Sequence, residues 1–277
     1  MKIDKKFQKL LKTVITTGEK KHNVRRNVSK LEIPSYTIRH SVDEGFPLLS
    51  IKAVPFKHIV SELVWFLNGD NTKAFLSKYG NKIWDKDIAN WNGIDAGQNY
   101  GVQWRNYAGK IDQISELIKN MKIDINGSRL LVEAWNPAEL KQTPLPPCHT
   151  GFQIISTRGG FELHWKQRST DLFLGFPFNI ASYFLLGMFL ESATGIEFKG
   201  VEGNLKCVHL YDNAILEGIV LMNKEKKKYS IPEVTFEVTD DLKGIDPYSV
   251  VINNYNPEAF VKVEMLAPIS NINKNLI

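Results

Sequence analysis

The chain has 277 residues, 43% of them hydrophobic and 23% charged, with 35 Lys and Arg against 30 Asp and Glu, a net charge of +5. Enough apolar residues for a core and well-mixed charges exclude disorder. Only two cysteines, Cys148 and Cys207, exclude a disulfide-stapled secreted module, and no apolar run reaches the roughly 18 residues that span a bilayer.

The opening MKIDKKFQKL alternates charged and apolar side chains and lacks a signal peptide's apolar stretch, so a cytoplasmic setting and no membrane partner are expected. The positive charge favours phosphate-bearing ligands. The basic runs (Lys20-Lys21, Arg25-Arg26 and 224–228) are short and carry no nucleic-acid-binding motif. Nucleic acid is therefore not an expected partner, and the 224–228 run reads as solvated lysines. With no repeat, low-complexity tract or Gly/Ser linker, the chain reads as one domain over 1–277.

In chain order, residues 7–17 place Leu10, Leu11, Val14 and Ile15 at helical spacing. Residues 33–40 read as a strand closed by Asp43-Glu44-Gly45. Residues 56–67 carry Ile59, Val60, Leu63, Val64 and Leu67, a buried helix stopped by Asn68-Gly69. The Asn-, Asp-, Gly- and Trp-rich stretch 69–110 reads as irregular, long enough to mark function. A strand is predicted at 130–135, and Pro144 to Pro147 form a rigid approach to Cys148. Strands at 152–157 and 161–168 are joined by the hairpin signal Arg158-Gly159-Gly160. A core helix is predicted at 180–193, with further strands at 201–211 and 234–238. Strands and helices mix without a regular βαβ rhythm, which predicts an α+β fold.

Four features could carry chemistry. Cys148 lies in Leu145-Pro146-Pro147-Cys148-His149, where proline restricts the backbone and where His149 and Arg168 could lower the thiol's pKa; the alternative is an inert buried cysteine. Gln167-Arg168-Ser169 suits a phosphate oxyanion, and Asp171 and Asn179 bracket a Gly/Pro turn where they face a ligand or, for Asn179, cap the following helix. Glu62 sits within an apolar helix, on its buried or its wet side. His209 and Tyr211 alternate on one strand and share a face. Read alone, these residues support a cysteine nucleophile beside an anion-binding arginine. Cys/His metal spacing, Walker or Rossmann glycines and a Gly-x-Ser-x-Gly elbow are not present in the sequence, and no metal is expected.

Together the segments resemble the thymidylate synthase family from about Arg25 to Met265. The resemblance is densest in LPPCH (145–149), QRSTDLFLGFPFNIASYFLL (167–186) and VHLY (208–211), and extends through GFPLL (45–49), ELVWFLNGD (62–70), IWD (83–85), YGVQWR (100–105), SRLLVEAWNPAEL (128–140) and YNP (255–257). It implies a single α+β domain whose large mixed sheet, with surrounding helices, packs against the sheet of a second subunit in a homodimer. It also implies reductive methylation of deoxyuridylate (dUMP) to thymidylate (dTMP), with 5,10-methylenetetrahydrofolate as one-carbon and hydride donor.

By that resemblance Cys148 adds to C6 of the uracil, and Arg168 supports the thiolate and binds phosphate with Ser169, Arg25 and a partner subunit's Arg129. Gln167 and Asn179 bind the nucleotide, with Asn179 reading the pyrimidine's O4/N3 edge. His209 and Tyr211 contact the sugar hydroxyl. Glu62 moves protons, and Tyr100 assists removal of the C5 proton. Asp171 binds the pterin. Ile83, Trp84, Leu145, Leu174, Gly175 and Phe178 wall the folate site, and Lys52 faces its polyglutamate tail.

The sequence departs from the family pattern in places. The phosphate loop, usually Asp-Arg-Thr-Gly-Thr-Gly, reads Val24-Arg25-Arg26-Asn27-Val28-Ser29. An Arg-Arg pair is replaced by Ser128-Arg129, which makes Arg26 a candidate substitute cation. Lys206-Cys207-Val208-His209 replaces Gly-Asp-x-His, Pro257-Glu258-Ala259 replaces Pro-His-Pro, and 266–277 extends the usual tail. The altered tail keeps open a dUMP hydroxymethylase, in which water replaces the hydride. The altered phosphate residues and the charge keep open a catalytically weak nucleotide- or RNA-binding relative.

Overall fold

The computed structural model describes residues 2–24, 26–225 and 230–266. Arg25 and all of the 266–277 extension except Leu266 lie outside the described residues, as does most of the lysine run. Among the described residues, seven strands form one mixed sheet, flanked by helices in an α+β arrangement.

The sheet runs β1 (Glu19–Asn23), β2 (Val28–Ser41), β7 (Phe198–Tyr211), β5 (Gly160–Gln167), β4 (His149–Thr157) and β3 (Leu131–Glu133), with β6 (Thr170–Asp171) also paired to β7. The β5–β7 and β6–β7 pairs are parallel and the others antiparallel. The predicted hairpin turns at Gly159, whose φ of 81° suits a residue without Cβ. On β5, Phe161, Leu163, Trp165 and Gln167 point into the core, whereas Glu162, His164 and Lys166 line the opposite face.

Against the inner face lies α7 (Gly175–Thr194), apolar around its circumference and largely buried. It starts five residues before the predicted 180, so Asn179 stands inside the helix. Leu174 occupies the N-cap, which corrects the capping alternative. At Gly187 a Cβ would come within 2.3 Å of the Phe198 ring, so only glycine lets helix and sheet approach this closely. Helix α2 (Phe56–Leu67) has the predicted bounds and stops at Asn68-Gly69, with Gly69 at φ 68°. Each large apolar side chain buried here contributes about 1.5–3 kcal/mol.

The stretch 69–110 is more ordered than predicted. It holds α3 (Lys73–Lys78), α4 (Asp85–Trp91) and α5 (Tyr100–Asn106), started by Thr72 and Asn99 caps at α3 and α5. These helices are six or seven residues long, too short to display a clear 3.6-residue period. Helices α1 (Lys2–Thr17), α6 (Gln113–Ile123) and α8 (Ile215–Met222) complete the layers. The predicted strand 234–238 shrinks to β8 (Glu233–Thr235), paired with β9 (Val251–Asn253) outside the main sheet. Among the described residues, no helix is long and apolar enough to cross a membrane.

Candidate active site

Cys148 immediately precedes β4, partly exposed and held by its backbone from two directions. Its N–H donates to the Tyr100 hydroxyl at 2.7 Å, and its carbonyl accepts from Arg168 N–H at 2.9 Å. The Arg168 guanidinium donates through Nε to the Pro147 carbonyl at 2.8 Å and through Nη2 to that of Pro146 at 2.9 Å, and lies 5.0 Å from the Trp135 ring centroid. Two adjacent prolines cannot donate, so their carbonyls are the groups available to anchor this approach. Arg168 therefore fixes the chain that carries the thiol.

Tyr100 opens α5 and is 4% exposed. Burial, with the nearby Cys148, holds its phenol well above the ordinary tyrosine range, so it remains a neutral hydroxyl. Its ring stacks on His149 at 4.1 Å, and His149 Nδ1 lies 2.7 Å from the Tyr183 hydroxyl. Burial pulls His149 down to about 3. This corrects one expectation: His149 is neutral near pH 7 and supplies no cation to the thiol.

Glu62 on α2 accepts a 2.7 Å hydrogen bond from Trp84 Nε1. Some of the residue reaches solvent, but the carboxyl lies deep among protein atoms, and burial raises it to about 7 despite that bond. Trp84 is packed 6.1 Å from Tyr100, so Glu62, Trp84, Tyr100 and Cys148 form one continuous wall.

At the end of β5, buried Gln167 accepts from Trp165 Nε1 at 3.0 Å and donates to Asn179 Oδ1 at 3.0 Å and Ser169 O at 3.2 Å. Asp171 Oδ1 accepts from the backbone N–H groups of Phe173 and Leu174, each at 3.0 Å, fixing the turn into α7. Gly175 stands between the two polar residues: a Cβ there would lie 3.6 Å from both Asn179 Oδ1 and Asp171 Cβ. Asp171 pairs with His209 across β6–β7, and His209 packs edge-on to Tyr211 at 4.8 Å. The β2–β7 ladder skips Pro34 and Cys207; Cys207 takes φ 43° and its carbonyl lies 2.6 Å from His209 Nδ1.

Ile83, Leu145, Leu174 and Phe178 are half-buried apolar side chains on the main core, and Trp84 is buried within that core. Lys52 departs from its expected place. It is 5% exposed, its ammonium donates to the Phe173 carbonyl at 2.6 Å over the Phe173 ring, and burial lowers it to about 8. It supports the 171–174 turn instead of offering charge to solvent. Arg129 is exposed just before β3, away from the contacts around Cys148 described here. Arg26 bonds the Leu266 carbonyl, with its guanidinium 5.4 Å from the Tyr211 ring.

Residues 5–267 match the family model described as Thymidylate synthase. The chain belongs to the thymidylate synthase family. Nearly the whole sequence takes part in the match, including every candidate residue named above. Two residues without an assigned role in the sequence reading join this cluster. Trp135 is the platform under Arg168, and Tyr183 backs His149. The signal for Tyr183 lay in α7: Asn179 and Tyr183 are i, i+4, so both lie on one side of the helix.

Proposed function

We propose that the protein is a thymidylate synthase that methylates dUMP to dTMP with 5,10-methylenetetrahydrofolate. The observation that carries this reading is Cys148, its backbone held by Tyr100 and by Arg168, the residue next to the Gln167 that bonds Asn179. The Cys148 sulfur bonds to C6 of the pyrimidine, and electron density moves to C5 and O4. Asn179, oriented by Gln167, reads the O4/N3 edge, where an amide supplies both a donor and an acceptor. Glu62, near 7, exchanges a proton at O4 close to neutral pH. Tyr100, a neutral hydroxyl, assists as a hydrogen-bonding group while the C5 proton leaves to water. Arg168, Ser169 and Arg25 bind phosphate, and His209 and Tyr211 the sugar hydroxyl.

The folate supplies the one-carbon unit and the hydride. The apolar side chains of Ile83, Trp84, Leu145, Leu174 and Phe178, together with the polar Asp171, suit a flat pterin with a polar edge. A homodimer, formed through the polar sheet face and bringing Arg129 of a second copy to the phosphate, belongs to the same reading.

Val263, Glu264 and Leu266 lie against Asp171, Leu174 and Tyr211, and Asn213 holds the Glu264 carbonyl at 3.0 Å. A segment covering this edge supports hydride transfer over attack by water. The test incubates enzyme, dUMP and methylenetetrahydrofolate, follows absorbance at 340 nm and weighs the nucleotide. A rise with a methyl-sized gain is expected. A hydroxymethyl-sized gain without the rise overturns the synthase reading in favour of the hydroxymethylase.

A further inference from the structure

The outer face of β4, β5 and β7, the face that the homodimer reading gives to the second copy, holds a groove of about 480 Å³ that reaches Arg168. Its lining includes Gln153, His164, Lys166, Arg168, Asn204 and Lys206, and no carboxylate lines it. Two of these basic groups are engaged by carboxylates outside the groove. Lys166 pairs with Glu133 at 2.7 Å, and His164 lies 2.8 Å from Glu162 and 3.6 Å from Glu202. Arg168 spends Nε and Nη2 on the proline carbonyls, which leaves Nη1 for an incoming anion. Lys206 is exposed, sits opposite Ser35 across β2–β7, and has no ion-pair partner among the described residues.

An anion entering this groove therefore meets two uncompensated cations, Arg168 and Lys206, among neutral amides. The space exceeds what a tetrahedral phosphate fills, so hydrating water fits beside it. The other basic candidate, Arg26, is turned onto Tyr211 and the Leu266 carbonyl. We infer that Lys206 is a phosphate-binding residue that acts with Arg168 to discriminate a nucleoside monophosphate from its nucleoside. This rests on the dUMP reading above and adds a residue to it. Lys206 contributes as a flexible point charge, and Arg168 as a fixed planar donor.

The experiment measures binding of dUMP and of deoxyuridine to the full chain by calorimetric competition, at low salt and at high salt, for wild type, Lys206→Ala, Lys206→Arg and Lys166→Ala. Lys206→Ala is expected to weaken dUMP about tenfold, leave deoxyuridine unchanged and flatten the salt dependence. Lys206→Arg should retain most of the affinity, and Lys166→Ala, whose charge is matched by Glu133, should bind as wild type.

Unchanged dUMP affinity in Lys206→Ala overturns the inference. Equal weakening of both ligands, with a smaller particle in sedimentation, also overturns it by making Lys206 a contact between copies. If the wild type binds no dUMP, the substrate reading fails separately. Titration with inorganic phosphate then decides the groove: Lys206-dependent binding supports the anion site, and its absence overturns it.

Discussion

Glu62 and Glu202 are two carboxylates of one fold whose environments push them in opposite directions. Glu62 lies near Trp84 and Tyr100, with one hydrogen bond from an indole, and burial raises it to about 7. Glu202 lies on the polar face of the sheet, 8% exposed. Burial alone would raise it too, but hydrogen bonds from Arg39 and Asn204 and the nearby His164 take it below the usual carboxylate range. Desolvation is common to both; the supply of charged partners sets the sign. The dry wall thus keeps a proton available near neutral pH, whereas the sheet face keeps its charges fixed and paired.

The largest expected effect lies at the edge of the dry wall. Cys148→Ser should reduce kcat by on the order of 10³-fold or more and abolish the covalent adduct with fluorodeoxyuridylate and methylenetetrahydrofolate, read by intact-protein mass. Retention of the adduct would move the nucleophile elsewhere.

Glu62→Gln should lower kcat by on the order of 10²-fold. The same variant sharpens the contrast through stability. A carboxyl raised in the folded state binds more protons folded than unfolded between about pH 4.5 and 7, so stability falls as pH rises through that window. Glu62→Gln should therefore gain on wild type as pH rises from 4.5 to 7, by up to about 3 kcal/mol. Glu202 has the opposite sign: its contribution is present above the unfolded pKa and lost as pH falls through the lower folded one. Glu202→Gln should lose stability at pH 7 and recover towards wild type in acid. Urea melts across pH check both, and parallel curves for the two variants would break the comparison.

Tyr100→Phe removes the acceptor for the part-buried Cys148 N–H and should cost about 1 kcal/mol in the same melts. It should also lower kcat, since it loosens the segment carrying the thiol. The smallest effect is expected on the sheet face, where Lys166→Ala breaks a half-exposed pair with Glu133 and should cost less than about 1 kcal/mol.

Much of this arrangement was legible in residue order. The bounds of α2, the turn at Arg158-Gly159-Gly160, the inward face of β5 and the proline-framed Cys148 all follow from period, turn chemistry and restricted φ, which act over a few residues. The family resemblance named Tyr100, whose hydroxyl accepts from the Cys148 N–H, because residue types and order are carried along the chain.

Other features belong to tertiary structure alone. Glu62 meets Trp84, 22 positions away, and His149 meets Tyr183, 34 away; those contacts and the burial around them set protonation. Asn179 entered α7 because burial of Phe176 and Pro177 extended the helix past the local signal. Lys52 turned inward onto the Phe173 carbonyl, and Lys206 came to share a groove with Arg168 through the β5–β7 pairing. Sequence sets which groups are present and their local geometry. Desolvation and long-range pairing decide which carry charge, and only the packed chain determines those.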